Sequence, residues 1–218
     1  MDLTANVLKE FFREVFRMVE EEKDYFCELD RKLGDGDHGV TLSIGWQAVY
    51  EKLNGELKDE QDCGKIALVI GKTFLSAVGS SVGPLYASGL MRGGKVVKGK
   101  SELNDRDLKE LWIAFASGVK ERGQANVGDK TMVDTLAPFA EKLEEEYEQT
   151  NAFLPAFKEA LIAAEEGMKS TKDIVSKIGR SSRLGDRSIG VQDPGATSIY
   201  YILLTFLQCA EENAEKAL

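Results

Sequence analysis

Asp30, Asp35 and Asp37 fall within eight residues of one another in the segment LDRKLGDGDHG, residues 29–39. Carboxylates that converge repel one another unless cations lie between them, and donor sets made only of oxygen select hard ions, magnesium or calcium. Gly34 and Gly36 leave the backbone free to fold back so that the three side chains can meet. The spacing is not that of an EF-hand. Counted from Asp35, the fifth position is Gly39 and the sixth is Val40, where that loop needs an acid and then a glycine. Magnesium shared with phosphate oxygens suits the segment better; the plain alternative is a surface turn rich in Asp and Gly. His38 is the sole histidine. It could reach a phosphate or a base, or cap the helix that follows, but one histidine excludes a multi-histidine zinc site.

Three more segments have the same character. VGSSVGPLY, residues 78–86, ends one helical stripe, supplies two hydroxyls and starts the next stripe at Pro84; backbone N–H groups at such a start bind anions. RGQANVGDKTM, residues 122–132, spaces Gly123 and Gly128 like a P-loop. However, Asp129 intervenes before Lys130 and Thr131, and the preceding LWIAFASGVKER is helical where a P-loop needs a strand. GRSSRLGDRSIGVQDPGATS, residues 179–198, carries Arg180, Arg183 and Arg187, and arginine suits clamping phosphate or stacking on a base. Its Asp193-Pro194-Gly195 reads as a turn before a helix. Glycines concentrated in connections suggest backbone close to a ligand; helix caps and turns are the bland reading of any one of them.

The elements that must carry these loops are helical. Val7, Leu8, Phe11, Phe12, Val15, Phe16 and Val19 repeat at three- and four-residue steps. Similar stripes cover roughly 40–53, 64–77, 84–97, 105–122, 131–147, 155–168 and 194–210, predicting about eight helices of roughly 14 to 20 residues. The expectation is one all-α domain over residues 1–218. A net charge of −9 argues against a nucleic-acid partner. Cys27, Cys63 and Cys209 are scattered and odd in number, which favours free thiols in a reducing compartment. No apolar run reaches the roughly 20 residues that span a bilayer, and the N-terminal segment lacks a signal core. A cytoplasmic protein without a membrane partner is expected.

Taken together and in order, LDRKLGDGDHG, GPLY, ERGQANVGDKTMVDTL and GRSSRLGDRSIGVQDPGATS resemble the nucleotide-binding L subunit of dihydroxyacetone kinase and the related C-terminal domain of single-chain dihydroxyacetone kinases. The matching segments run from Leu29 to Ser198. The resemblance implies a barrel of eight antiparallel helices with a nucleotide and metal site in loops at one rim. It makes Asp30, Asp35 and Asp37 the ligands of two magnesium ions that bridge to the phosphates of ADP or ATP. It places His38, Gly39, Val40 and Thr41 along the nucleotide, with Ser81 and Val82 from the second loop. Gly123, Met132, Arg180, Asp193, Pro194 and Gly195 complete the implied contacts. Three positions depart from the family pattern: Val82 stands where serine is common, Thr41 where asparagine is common, and Val191 where histidine is common.

The implied activity is half of a kinase. The keto substrate, a short-chain hydroxyketone of glycerol metabolism, belongs to a separate K subunit that holds it covalently through a histidine. This chain's only histidine lies in the metal loop. The expected partners are that K subunit, a phosphotransferase-system protein if bound ADP is rephosphorylated in place, and a second copy of the chain in a homodimer. Exchange of ATP is the other route known in the family, and the sequence does not choose between them. A nucleotide-binding regulator without turnover is the alternative from another class. The nucleotide domain of fatty acid kinases is a further alternative, disfavoured because threonine characteristically follows its D-G-D, where His38 stands here.

Overall fold

The computed structural model describes residues 2–216. Eight α-helices make up the fold of these residues: α1 (Ala5–Leu33), α2 (His38–Asn54), α3 (Cys63–Ala77), α4 (Val82–Val96), α5 (Asp105–Gly123), α6 (Met132–Thr150), α7 (Phe153–Ser170) and α8 (Pro194–Lys216). Two 3-10 segments, Thr171–Asp173 and Arg180–Ser188, lie between α7 and α8. The all-helical expectation holds. A two-residue antiparallel pair, β1 (Leu3–Thr4) against β2 (Glu102–Leu103), was not predicted; two residues are too few to show a period.

Two helices outrun their stripes. α1 has 29 residues and α8 has 23, against a predicted maximum of roughly 20. In α1 the apolar pattern lapses over the polar run after Val19 and resumes seven residues later at Phe26, on the same face, followed by Leu29 and Leu33. Glu and Lys are good helix formers and carry the helix across the gap. Pro84 and Pro155 occupy the third residue of α4 and α7, inside the first turn, where a missing N–H costs nothing.

Each helix packs on its successor, and α8 returns to α1, so the contacts close into a ring. Aromatic rings fill much of its interior: Phe206 meets Phe11 at 5.2 Å and Trp112 at 5.0 Å, both edge to face, a favoured geometry for their quadrupoles. Every second connection contributes to one cavity, as an up-and-down order of helices requires. The α1–α2, α3–α4, α5–α6 and α7–α8 connections are the four glycine-rich loops. At the opposite end lie the β1–β2 pair, the hydrogen bonds from Lys9 Nζ to the carbonyls of Lys58 (2.8 Å) and Glu60 (3.1 Å), and the Phe153 N–H on Asp105 (2.9 Å).

α2 comes very close to α1 at Gly39, where a β-carbon would lie 2.0 Å from the Lys23 carbonyl oxygen and 3.0 Å from Cys27 Sγ. Gly39→Ala therefore has to push α2 away from α1. We expect a loss of about 1–3 kcal/mol, the usual cost of overpacking, read as a lower melting temperature of the ligand-free protein. An unchanged melting temperature would show that the two helices separate freely here.

Candidate functional site

The first loop begins where α1 ends. Asp30 lies in the last turn of α1 and is 9% exposed. Its Oδ2 accepts hydrogen bonds from the backbone N–H groups of Asp37 (2.9 Å) and His38 (3.2 Å). These bonds fold the loop back over the helix end, and Gly36 makes the reversal at φ 77°, a left-handed conformation that glycine adopts without strain. Asp37 sits at the N-cap of α2, yet its side chain makes no capping bond, although aspartate is among the residues that usually do. Its carboxylate and that of Asp35 point outward, half exposed. Ligand oxygens of Asp30, Asp35 and Asp37 all lie within 4.8 Å of one another, the convergence that the spacing suggested.

The cluster adjoins a cavity of about 390 Å³ to which all four loops contribute. Asp30 and His38 come from the first loop, Ser81 and Val82 from the second, Gly123 and Met132 from the third, and Arg180, Asp193, Pro194 and Gly195 from the fourth. Gly39, Val40 and Thr41 are not in its lining: Gly39 faces α1, and Val40 is 44% exposed. Of the two hydroxyls in the second loop, Ser81 reaches the cavity, beside Val82.

The His38 ring is buried and does not cap α2. Its Nε2 lies 2.9 Å from Ser198 Oγ, which lies 3.1 Å from the Tyr86 hydroxyl. Burial pushes the imidazole down to about 4, against a hydrogen bond with the Pro194 backbone. The ring is therefore neutral at pH 7 and has one N–H. The ring hydrogen-bonds the Pro194 backbone and, through Nε2, Ser198 Oγ, which also lies 3.1 Å from the Gly195 carbonyl. The first loop is thus tied to the start of α8.

What fastens the third and fourth loops was not predicted, although Thr131-x-x-Asp134 has the spacing of a capping box. Asp134, in the first turn of α6, accepts from the N–H groups of Gly128 (2.6 Å) and Thr131 (2.7 Å) and closes a capping box with Thr131. Lys130 is 1% exposed. Its Nζ donates to the carbonyls of Ser188 (2.6 Å), Val191 (2.6 Å) and Ile174 (3.3 Å). Burial holds its ammonium below the usual lysine range, opposed by Asp193, Asp173 and Asp134. Its φ is 64°, sparsely populated for any residue other than glycine. Such strain persists only where the surroundings fix it, and here three carbonyls do. Because Val191 is held through its carbonyl, the side chain at that position is not what anchors the loop. Asp193 caps α8 by accepting the Ala196 N–H at 2.7 Å, and burial still pushes its carboxyl up to about 7.

Fold and site define a class: an all-helical protein whose alternate connections meet at one end, bringing three carboxylates beside a cavity lined by helix N-termini and two arginines, Arg122 and Arg180. The chain belongs to the DAK2 domain family, whose model matches residues 32–208. It is 39% identical over 201 residues to the PEP-dependent dihydroxyacetone kinase 2, ADP-binding subunit DhaL of Listeria innocua, covering 92% of this chain and 90% of that protein. It is 37% identical to the corresponding ADP-binding subunit DhaL of Escherichia coli, over 88% of this chain and 90% of the other. The dihydroxyacetone kinase of C. freundii, solved in complex with AMP-PNP and Mg2+, superposes with a TM-score of 0.71 at 21% identity. That match covers 95% of this chain and 34% of the larger kinase, and it shows a shared fold.

Proposed function

We propose that this chain is the nucleotide- and magnesium-binding subunit of a dihydroxyacetone-type kinase, a phosphotransferase that works with a separate K subunit holding a short-chain hydroxyketone. The observation that carries the reading is the convergence of Asp30, Asp35 and Asp37 beside the four-loop cavity. The donor set fits two magnesium ions: all its ligands are carboxylate oxygens, and two of the three carboxylates are half exposed and spared from capping. Asp30, Asp35 and Asp37 would hold the ions, whose positive charge would offset the charge that develops in phosphoryl transfer. The names of the L. innocua and E. coli relatives and the ligands of the C. freundii structure support nucleotide and magnesium as what is bound.

The chain's own residues supply position and charge. The N-terminus of α4, with Ser81 and Val82 at the cavity, presents backbone N–H groups suited to phosphate. Val82 and Met132 offer apolar surface for a base. Gly123 leaves room beside them, and Arg180 offers a fork of donors to an anion. Asp193, Pro194 and Gly195 bring the start of α8, a second helix N-terminus, to the cavity. His38 joins the first loop to that same start through Ser198. The ring of eight helices serves as a barrel with this site at one rim. PEP dependence in the named relatives supports rephosphorylation of bound ADP by a phosphotransferase-system protein, so the purified chain is expected to retain ADP in native mass spectrometry.

Two mixtures test the function. The purified chain with ATP and dihydroxyacetone should give no product above background, whereas adding a K subunit and a phosphoryl donor should give dihydroxyacetone phosphate. Product from the chain alone would overturn the half-enzyme reading. Absence of product from the complete mixture, with nucleotide bound, would point to the regulator.

A further inference from the structure

We infer that Arg180 is an internal counter-ion of the carboxylate cluster, and that a divalent cation must displace its guanidinium to reach Asp35 and Asp37. The inference rests on the proposed role of these aspartates as cation ligands.

Arg180 opens the fourth loop, 145 residues from Asp35 in sequence. Its Nη1 donates to Asp35 Oδ2, and its Nη2 lies 3.8 Å from Asp37 Oδ1. The third member, Asp30, has its Oδ2 engaged by two backbone N–H groups. One guanidinium therefore covers the two carboxylates of the cluster that no other contact fixes in place. A carboxylate oxygen that accepts N–H protons from a guanidinium directs its lone pairs into those bonds, and like charges a few ångströms apart repel. A dication and Arg180 compete for the same oxygens.

The pair is easily displaced. All three side chains are half exposed, Arg180 at 58%, Asp35 at 47% and Asp37 at 51%, and exposed ion pairs are weak and screened. Arg180 also lines the cavity, so an anionic phosphate there offers its guanidinium a second partner. Nucleotide binding then frees the metal seat, and metal binding frees the arginine for the nucleotide. Each ligand raises the affinity of the other through one side chain, in addition to any direct bond between metal and phosphate, and such coupling is reciprocal.

The test is Mn2+ binding in the absence of nucleotide, followed by electron paramagnetic resonance of the free ion, for the full chain and three variants. Arg180→Gln should bind Mn2+ at least about fivefold more tightly than the parent, the lower end of ordinary coupling between sites. Arg183→Gln removes the same charge from an exposed position on the same loop and should change the affinity little. Asp35→Asn should lose Mn2+ binding. The ratio of Mn2+ affinities with and without ADP should also shrink in Arg180→Gln. No tightening in Arg180→Gln, or an equal gain in Arg183→Gln, would overturn the counter-ion while leaving the metal site intact. Undiminished Mn2+ binding by Asp35→Asn would instead remove the metal site itself.

Discussion

Asp35→Asn and Asp37→Asn should each abolish binding of Mg-ADP while leaving the fold intact. Each substitution replaces an anionic oxygen donor by a neutral amide in a cluster whose three carboxylates lie within 4.8 Å. Losing only an outer-shell partner of a ligand costs about 10–100-fold in metal affinity, so losing a ligand should cost more than about 100-fold by the same scale. Stability should hardly move. Neither carboxylate caps a helix or pairs with a buried group, and the ion pair with Arg180 is exposed, worth about 0–1 kcal/mol. Removing one of several mutually repelling charges offsets part of even that. Titration calorimetry with Mg-ADP, alongside a thermal melt of the ligand-free protein, checks both halves. Wild-type affinity in both variants would take these residues out of the metal site, whereas a large fall in melting temperature would recast them as structural.

Lys130→Met is expected to produce the next largest effect, through the fourth loop. Methionine keeps an unbranched side chain of similar length but removes the ammonium that three carbonyls share, at 2.6, 2.6 and 3.3 Å. A hydrogen bond to a charged group contributes about 1.5–3 kcal/mol, and stranding its buried partner adds a desolvation cost. Three such bonds on one atom are not additive, and the substitution should cost more than about 1.5 kcal/mol in total. The damage should be local, because Ser188 and Val191 belong to the segment that carries Arg180 and Asp193 to the cavity. Hydrogen exchange should quicken across residues 172–193, trypsin should cut more readily at Arg180, Arg183 and Arg187, and nucleotide affinity should fall at least tenfold, about 1.4 kcal/mol. The helices far from this rim should keep their protection. Unaltered exchange in the loop would mean that the bonds from Ser188 Oγ to Gly185 and from the Gly190 N–H to Lys172 (2.7 and 2.6 Å) hold it without the lysine.

Much of this protein was legible in the order of its residues. Three-and-four periodicity depends on side chains one helical turn apart, a local property, so the all-helical class and the approximate positions of the helices followed from it. Glycines gathered in alternate connections, and aspartates separated by glycines, likewise act within a few residues. They marked the loops and the carboxylate cluster before any packing was known. The third loop is no P-loop despite its glycine spacing, because a helix, α5, precedes it.

What the order of residues could not give is which distant groups meet. Up-and-down packing of eight helices gathers the four loops at one end, a consequence of parity around a closed ring that no single segment contains. Lys130 stands one residue too late for a P-loop lysine, and burial turns its charge inward to backbone carbonyls of the fourth loop and the segment before it. His38 was open to several roles from its position alone. The approach of α8 placed Ser198 against its ring, 160 residues away, and desolvation made the ring neutral. Arg180 and Asp35 are related by no spacing at all, and only the closure of α8 onto α1 brings their charges together. Periodicity and loop chemistry are encoded locally because they arise from neighbours along the chain. Burial, desolvation and ion pairing depend on which surfaces exclude water together, and that is settled only when the helices pack.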